Sequence, residues 1–364
     1  MFIILFLIIL ALLILVHEFG HFVVAKRNGI QVDEFGLGFP PRAKKLFTKN
    51  GTDYTLNWIP FGGFVKLFGE DGDTKNLPSK DVKKSFAGKS RWVQAKVLLA
   101  GVVFNTLFAW LLLSAVFLFG MTTIVPTDSN LIRYVKGDFS LAIADVLPES
   151  PADKADLLPG DVITGVSVNG IDFRTMSATE FQTLVATSER IPLYIKFNRD
   201  GRESSVYIVP LFDSVVPDQV AIGVSLGLKG ELKLPLHKAI WNGGKMTIRV
   251  VKETVLSIGK LITGKVNLSL VSGPVGIAGL VGDAAKNGIT QLFLLTAIIS
   301  ANLAVINLIP FPALDGGRIL FLIIEGITRR KIPTKVAGIM NTIGFFLLIA
   351  LMILVTYHDI LKLF

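Results

Sequence analysis

Four long apolar stretches divide the chain, and each is long enough to form a membrane-spanning helix. The first, residues 1–25, opens with a run from Phe2 to Val16 that has no polar or charged side chain. Three further stretches cover residues 97–120, 290–328 and 334–358. Since about 20 apolar residues cross a bilayer, the pattern predicts a multi-pass α-helical membrane protein with four spans.

The third apolar stretch differs from the others because proline and glycine interrupt it. Pro310, Pro312 and the pair Gly316-Gly317 lie near its middle. At about 1.5 Å per residue, 290–328 is too long for one straight span. Irregular backbone at membrane depth is tolerated where it lines a site. We therefore expect a broken transmembrane segment.

Between the spans, shorter patterns predict β structure. In the region 26–96, residues 54–59 and 64–68 alternate like strands around a turn at Gly62-Gly63, which predicts an apolar, membrane-associated β-hairpin. In the region 121–225, residues of about 139–212 predict an α+β domain of short strands and one helix around residues 178–187. Residues 226–289 mix basic and apolar positions and predict an amphipathic linker, either at the membrane surface or packed on the preceding domain.

The charge of the chain follows these boundaries. The protein has 364 residues, of which 51% are hydrophobic, and its net charge is +9. Residues 26–96 carry 14 basic and 7 acidic side chains, whereas residues 121–289 carry 17 of each. For a protein of the inner (cytoplasmic) membrane, the positive-inside rule then predicts that residues 26–96 are cytoplasmic and that the α+β domain is extracytoplasmic. Because the basic charge follows the membrane boundaries, a nucleic-acid partner is not expected.

The first span ends in the chemically most informative motif, His17-Glu18-Phe19-Gly20-His21. On a helix, His17 and His21 share one face, so both imidazoles can bind one metal ion. Glu18 lies about 100° round the helix, where it can deprotonate a water. Ionisable groups are costly in lipid and usually functional, although a buried polar cluster satisfied by neighbouring helices is an alternative. The pattern favours a hydrolytic zinc site with Glu18 as the catalytic base.

A zinc site of this kind needs a third protein ligand. The chain has no cysteine, which excludes thiolate ligands and disulfides. Asp315 is the favoured candidate, because coordination would offset the cost of a carboxylate inside the broken segment. His358 is the rival, although it lies at the outer end of the last span. His237 is expected to be an ordinary surface histidine.

These residues resemble the site-2 proteases, which are intramembrane zinc metalloproteases, and in particular the bacterial branch that cleaves anti-sigma factors. His17 to His21 is similar to the first motif of that family. The segment from Asn307 to Gly316, with Pro310, Pro312 and Asp315, is similar to its N-x-x-P-x-P-x-x-D-G motif. Residues 150–170 resemble part of a PDZ domain, and Gly101 with Asn105 resembles the start of the second span.

The resemblance implies a fold, a cofactor and partners. It implies Zn²⁺ held by His17, His21 and Asp315, and it assigns substrate binding to Asn307 and Pro312. It also implies an extracytoplasmic PDZ-like domain and an active site toward the cytoplasmic side. The expected partners are membrane lipid and single-pass transmembrane substrates, such as a trimmed anti-sigma factor or signal-peptide remnants.

Physical reasoning adds a role for the hairpin and two rival functions. An extended substrate can add to the hairpin edge through main-chain hydrogen bonds, which makes Gly62 and Gly63 candidate substrate-binding residues. The PDZ-like domain either captures a carboxyl terminus or excludes substrates with large outer domains. The rivals are a membrane scaffold with structural zinc and a zinc transporter. Closed structural sites take four ligands and transporters need polar residues in several spans, so both are disfavoured.

Overall fold

The computed structural model describes residues 2–70, 78–174, 177–212, 218–265 and 272–362. Within these ranges, the helices are α1 (Phe2–Arg27), α2 (Ser79–Val82), α3 (Arg91–Phe119), α4 (Pro151–Lys154), α5 (Ala178–Thr187), α6 (Leu236–Ile262), α7 (Pro274–Lys286), α8 (Ile289–Leu308), α9 (Asp315–Thr328) and α10 (Thr334–Leu361). The strands are β1 (Val32–Lys49), β2 (Thr52–Leu67), β3 (Met121–Pro126), β4 (Val135–Val146), β5 (Val162–Val168), β6 (Ile171–Arg174), β7 (Leu193–Arg199), β8 (Arg202–Ile208), β9 (Leu211–Phe212), β10 (Val220–Ala221) and β11 (Val224–Leu232).

The chain forms two compact units. The first, which we call the helical unit, comprises Met1–Val116 and Ala239–Phe364, and the second, the sheet unit, comprises Phe117–Lys238. In the described residues, α1, α3, α8 and α10 are long and apolar enough to cross a membrane. The predicted four-span membrane protein is confirmed to that extent. The second spanning helix, α3, begins at Arg91, six residues before the predicted boundary at residue 97.

The spanning helices expose most of their apolar side chains. Only 11–28% of the most apolar stretch of each helix is buried. Apolar surface of this extent is unfavourable in water but matches lipid tails. The few buried positions include polar residues such as Asn105 and Ser300, each fully buried, beside apolar ones such as Leu113.

The third apolar stretch, residues 290–328, contains two helices separated by irregular backbone. Helix α8 ends at Leu308 and α9 begins at Asp315, with six irregular residues between them. A Cβ atom on Gly316 would lie 2.2 Å from the carbonyl oxygen of Ile309, so only glycine permits this approach. The backbone amide of Ala313 donates to Asn341 Oδ1 of α10 at 3.2 Å. The break is thereby held in one conformation directly before Asp315.

The hairpin is present, but the predicted pairing between 54–59 and 64–68 is wrong. Both segments belong to β2, and each pairs with β1 on a different side of residues 34–37. Phe35, for example, pairs with both Tyr54 and Val65. The inner position of β1 escaped prediction because Gly36 and Gly38 interrupt its apolar alternation. The hairpin turn lies at Asn50-Gly51.

The sheet unit contains a sheet of strand order β3-β11-β4-β5-β7-β8, with β6 paired to β5. Helix α5 has the predicted bounds, begins with a capping box at Ser177 and buries Phe181 and Val185 in the core. The sheet extends beyond the expected 139–212, because β3 and β11 pair from outside those limits. Asp161 is 1% exposed and accepts two hydrogen bonds from Arg199, each 2.7 Å long.

Most of the predicted linker 226–289 is helical. Helix α6 packs against α3, where a Cβ atom on Gly243 would lie 2.4 Å from Ser114 Oγ. The indole Nε1–H of Trp110 donates to the carbonyl oxygen of Ile240 at 2.8 Å. The helix is therefore part of the bundle, a third arrangement beside the two that the sequence left open.

Candidate active site

Two histidines of α1 and one aspartate of α9 meet inside the helical unit. His17 and His21 are one turn apart, and their rings lie 4.7 Å apart between centroids and nearly perpendicular. Both direct Nε2 at the same carboxylate oxygen of Asp315, at 3.0 Å from His17 and 3.2 Å from His21. Both imidazoles are buried. The structure therefore brings together the three residues that the sequence singled out as ligands.

This donor set fits a zinc ion. One atom from each of the three residues lies within 4.8 Å of the others. Ligands bound at about 2.0–2.1 Å around a tetrahedral ion are separated by roughly 3.3 Å, close to the two observed separations. Two imidazole nitrogens and one carboxylate leave a fourth position open, as in catalytic sites. His358 lies outside the cluster, and its Nδ1 faces the carbonyl oxygen of Leu354 in its own helix.

The cluster lies in the wall of a cleft of about 830 Å³. Glu18 lines the cleft beside the histidines, and Asn307 lines it from the end of α8. Gly63 also lines it, and a Cβ atom on Gly63 would contact Glu18 Cγ at 3.3 Å. The cleft is therefore lined by the catalytic candidate Glu18 and by two substrate-binding candidates, Asn307 and Gly63.

Two other predicted substrate-binding residues have different positions. Gly62 packs on α1, where a Cβ atom would lie 2.6 Å from Ile14 Cγ2. Pro312 packs on α10, and its carbonyl oxygen would lie 2.5 Å from a Cβ atom on Gly344. Neither belongs to the described residues that line the cleft. Both support the cleft wall through packing.

The second half of β2 forms one side of this cleft. Phe64, Val65 and Leu67 line it together with Gly63. Residues 63–66 pair on one side with residues 34–37 of β1, and no other described strand pairs with them. The site therefore combines a metal-binding cluster, a carboxylate and a strand edge.

Comparison with known proteins places this site in a family. The model of peptidase family M50 matches residues 5–351. The chain belongs to peptidase family M50. It is 35% identical to a Clostridium perfringens protein provisionally named a zinc metalloprotease, over 99% of both chains. It is 30% identical to the zinc metalloprotease RasP of Geobacillus kaustophilus, over 99% of this chain and 97% of RasP. RasP of Bacillus licheniformis is 28% identical to it, over 99% of this chain and 98% of that RasP.

This M50 chain has a further ion pair at the cleft that sequence reasoning missed. Arg318, one turn after Asp315, pairs with Glu70 just beyond β2. Both side chains line the cleft. The pair links the strand edge to the helix that carries the third ligand. The two residues are separated by 248 positions, and each is unremarkable in its own segment, so no local pattern indicates the contact.

The base of the hairpin carries a second group of charges. Burial raises the pKa of the Glu34 carboxyl, but hydrogen bonds from Arg42 and Thr55 outweigh it and hold that pKa below its usual value. Thr55 donates to Glu34 Oε1 at 2.7 Å, and Arg42 Nη2 lies 2.5 Å from Oε2. The Thr55 bond joins β2 to β1, and the Arg42 bond joins two parts of β1.

Proposed function

We propose that this M50 peptidase is an intramembrane zinc metalloprotease that hydrolyses peptide bonds in or near transmembrane segments. The observation that carries the proposal is the convergence of His17, His21 and Asp315 in a cleft that Glu18 also lines. The relatives named zinc metalloproteases support Zn²⁺ as the cofactor. All three ligands belong to helices of the apolar bundle, which supports cleavage at membrane depth.

Glu18 supplies the proton chemistry. A zinc ion held at this site would supply Lewis-acid chemistry, which polarises a carbonyl and lowers the pKa of a water. The carboxylate of Glu18 accepts a proton from that water as its oxygen bonds to the carbonyl carbon. Glu18 then gives the proton to the leaving amine as the C–N bond breaks. His17, His21 and Asp315 would hold the metal beside this carboxylate.

The substrate must be extended at the scissile bond, because a helix hides its carbonyl groups in internal hydrogen bonds. The edge at residues 63–66 can add a substrate strand by main-chain hydrogen bonds. Asn307 faces the same cleft and offers an amide to the substrate backbone. We propose single-pass transmembrane proteins with trimmed outer domains as the substrates, including anti-sigma factors and signal-peptide remnants.

The proposed orientation follows from charge and exposure. The basic region 26–96 is cytoplasmic, the sheet unit is extracytoplasmic and PDZ-like, and the active site faces the cytoplasmic side of the inner membrane. Hydrophobic side chains of the hairpin are exposed, with Phe39 at 55% and Trp58 at 72%. Membrane lipid is the partner that would cover them.

The decisive experiment compares wild type with Glu18→Gln on a trimmed single-pass substrate in the same membranes. We expect Glu18→Gln to lower cleavage by at least about 1,000-fold, because it removes the proton acceptor beside the metal. Zinc content should stay at the wild-type level. Glu253→Gln, an exposed position on α6, is the matched control and should cleave normally. Equal cleavage by wild type and Glu18→Gln would contradict the proposed mechanism.

A further inference from the structure

Both candidate ligand histidines lie against α3. A Cβ atom on Gly101 would come within 2.5 Å of His17 Cε1, so the absence of a side chain there lets the imidazole approach the helix. One turn later, Asn105 is fully buried and its amide lies 3.5 Å from His17 Nδ1. The imidazole of His21 directs Nδ1 at the carbonyl oxygen of Val97 at 2.7 Å. The same helix therefore contacts the second nitrogen of each ring.

These contacts decide which ring nitrogen is available to a metal. Nε2 of each histidine faces Asp315 and must present a lone pair to bind an ion, so the proton of the neutral ring lies on Nδ1. An Nδ1–H group needs an acceptor. The carbonyl oxygen of Val97 provides one for His21. The Nδ1 atom of His17 has only the side-chain amide of Asn105 among its described hydrogen-bond partners.

The Asn105 amide has a free acceptor. Its Oδ1 atom is buried and has no hydrogen-bond partner, while Nδ2 faces His17. An unpaired buried amide oxygen costs about 1–3 kcal/mol. A half-turn of the amide exchanges its two nearly isosteric ends and directs Oδ1 at Nδ1–H. Metal binding by Nε2 and the unpaired oxygen therefore call for the same arrangement.

We propose that Asn105 is a positioning residue for His17, whose amide oxygen accepts the Nδ1–H hydrogen bond and so holds the tautomer that presents Nε2 to the metal. The inference rests on the metal site proposed above. Partners of this kind orient metal-binding histidines, and their loss typically lowers metal affinity 10–100-fold. Asn105 contacts neither substrate nor metal in this role.

The test measures zinc affinity by chelator competition in the purified full-length protein. Asn105→Leu keeps a similar volume without an acceptor, and we expect it to bind zinc 10–100-fold more weakly. Asn105→Asp keeps an acceptor and should remain within about threefold of wild type. Thr106→Val is the matched control on α3, since its hydroxyl donates only to Val102 of its own helix. It should leave zinc affinity unchanged.

A second measurement separates positioning from general packing. The thermal unfolding midpoint of metal-free Asn105→Leu should stay close to that of metal-free wild type, because leucine keeps the volume of the side chain. Without the metal, His17 can carry its proton on Nε2 and donate it to Asp315, so no Nδ1–H group is left without an acceptor. A lowered midpoint together with weak zinc binding would instead indicate a structural role. If Asn105→Leu does not accumulate, Asn105→Ala takes its place in both measurements.

The outcomes distinguish this inference from the proposed function. Wild-type zinc affinity in Asn105→Leu, or equal losses in the Leu and Asp variants, would overturn the role of Asn105 alone. Failure of wild type itself to bind zinc would overturn the metal site. Weak binding in Asn105→Leu with retained binding in Asn105→Asp supports the proposal.

Discussion

The two units of this protein place polar residues in opposite ways. In the sheet unit, apolar side chains form the core and most polar groups face outward, with the buried Asp161–Arg199 pair as an exception. In the helical unit, most apolar side chains of the spanning helices face outward, and the buried residues include a polar group formed by His17, His21 and Asn105. Stability of the first depends mainly on apolar burial. The second depends on close packing around a few polar groups.

The largest effect in this comparison is expected from Gly316→Ala in the helical unit. Its Cβ would lie within 2.3 Å of two carbonyl oxygens, those of Leu308 and Ile309. Overpacking of this kind shifts the backbone, and a displacement of about 1 Å at Asp315 would lower the cleavage rate about 100-fold. We expect that loss together with weaker zinc binding, measured by substrate cleavage and chelator competition.

Gly326→Ala on the same helix is the matched control. No heavy atom lies within 4 Å of the added Cβ, and alanine favours a helix by up to about 1 kcal/mol over glycine. Cleavage and zinc affinity should therefore be unchanged. If Gly316→Ala behaved like this control, close packing at the break would not position Asp315.

A smaller effect is expected from Asp161→Asn in the sheet unit. The substitution removes the charge that pairs with Arg199 at a buried position, which we expect to destabilise the sheet unit by about 2–3 kcal/mol. Native-state proteolysis within residues 117–238 of the full-length protein should accelerate. Zinc affinity should not change, because Asp161 lies in the sheet unit and the metal cluster lies in the helical unit.

Asp156→Asn controls for charge at the same arginine. Asp156 is 86% exposed and lies 3.6 Å from Arg199, so we expect less than about 1 kcal/mol. Equal destabilisation by the two variants would show that burial of Asp161 contributes nothing beyond an exposed ion pair.

The smallest effect is expected when the pH is lowered and Glu34 of the hairpin becomes protonated. The pKa of Glu34 is lower in the folded protein than its ordinary value. Its contribution to stability is therefore present above that ordinary value and is lost as the pH falls through the folded pKa. Hydrogen exchange in residues 32–67, corrected for intrinsic rates, should accelerate on acidification by less than about tenfold, because solvent screens the Arg42 partner.

Glu34→Gln should remove this pH dependence and exchange faster at neutral pH. A wild-type hairpin whose corrected exchange does not respond to acid would exclude Glu34 as a stabilising anion. The measurement tests whether the Glu34–Arg42 contact, which lies outside the spanning helices and is partly exposed, contributes little to stability.

The sequence predicted those features that depend on local pattern. Uninterrupted apolar runs predicted the spans, and the capped helix at 178–187 has the expected bounds. The cost of an isolated carboxylate in lipid singled out Asp315. Pairing between distant segments was beyond reach, since β1 runs between two parts of β2 that its own glycine-rich pattern does not indicate. Contacts such as Glu70–Arg318 likewise exist only once the chain has folded.

The free edge at residues 63–66 has a consequence for where a substrate is cut. Successive side chains of a strand point to opposite faces, so an added strand regains the same pattern of contacts only after a shift of two residues. Minor cleavage sites should therefore lie two residues from the major site, with few products at odd offsets. Mass spectrometry of the peptide ends would display this spacing directly.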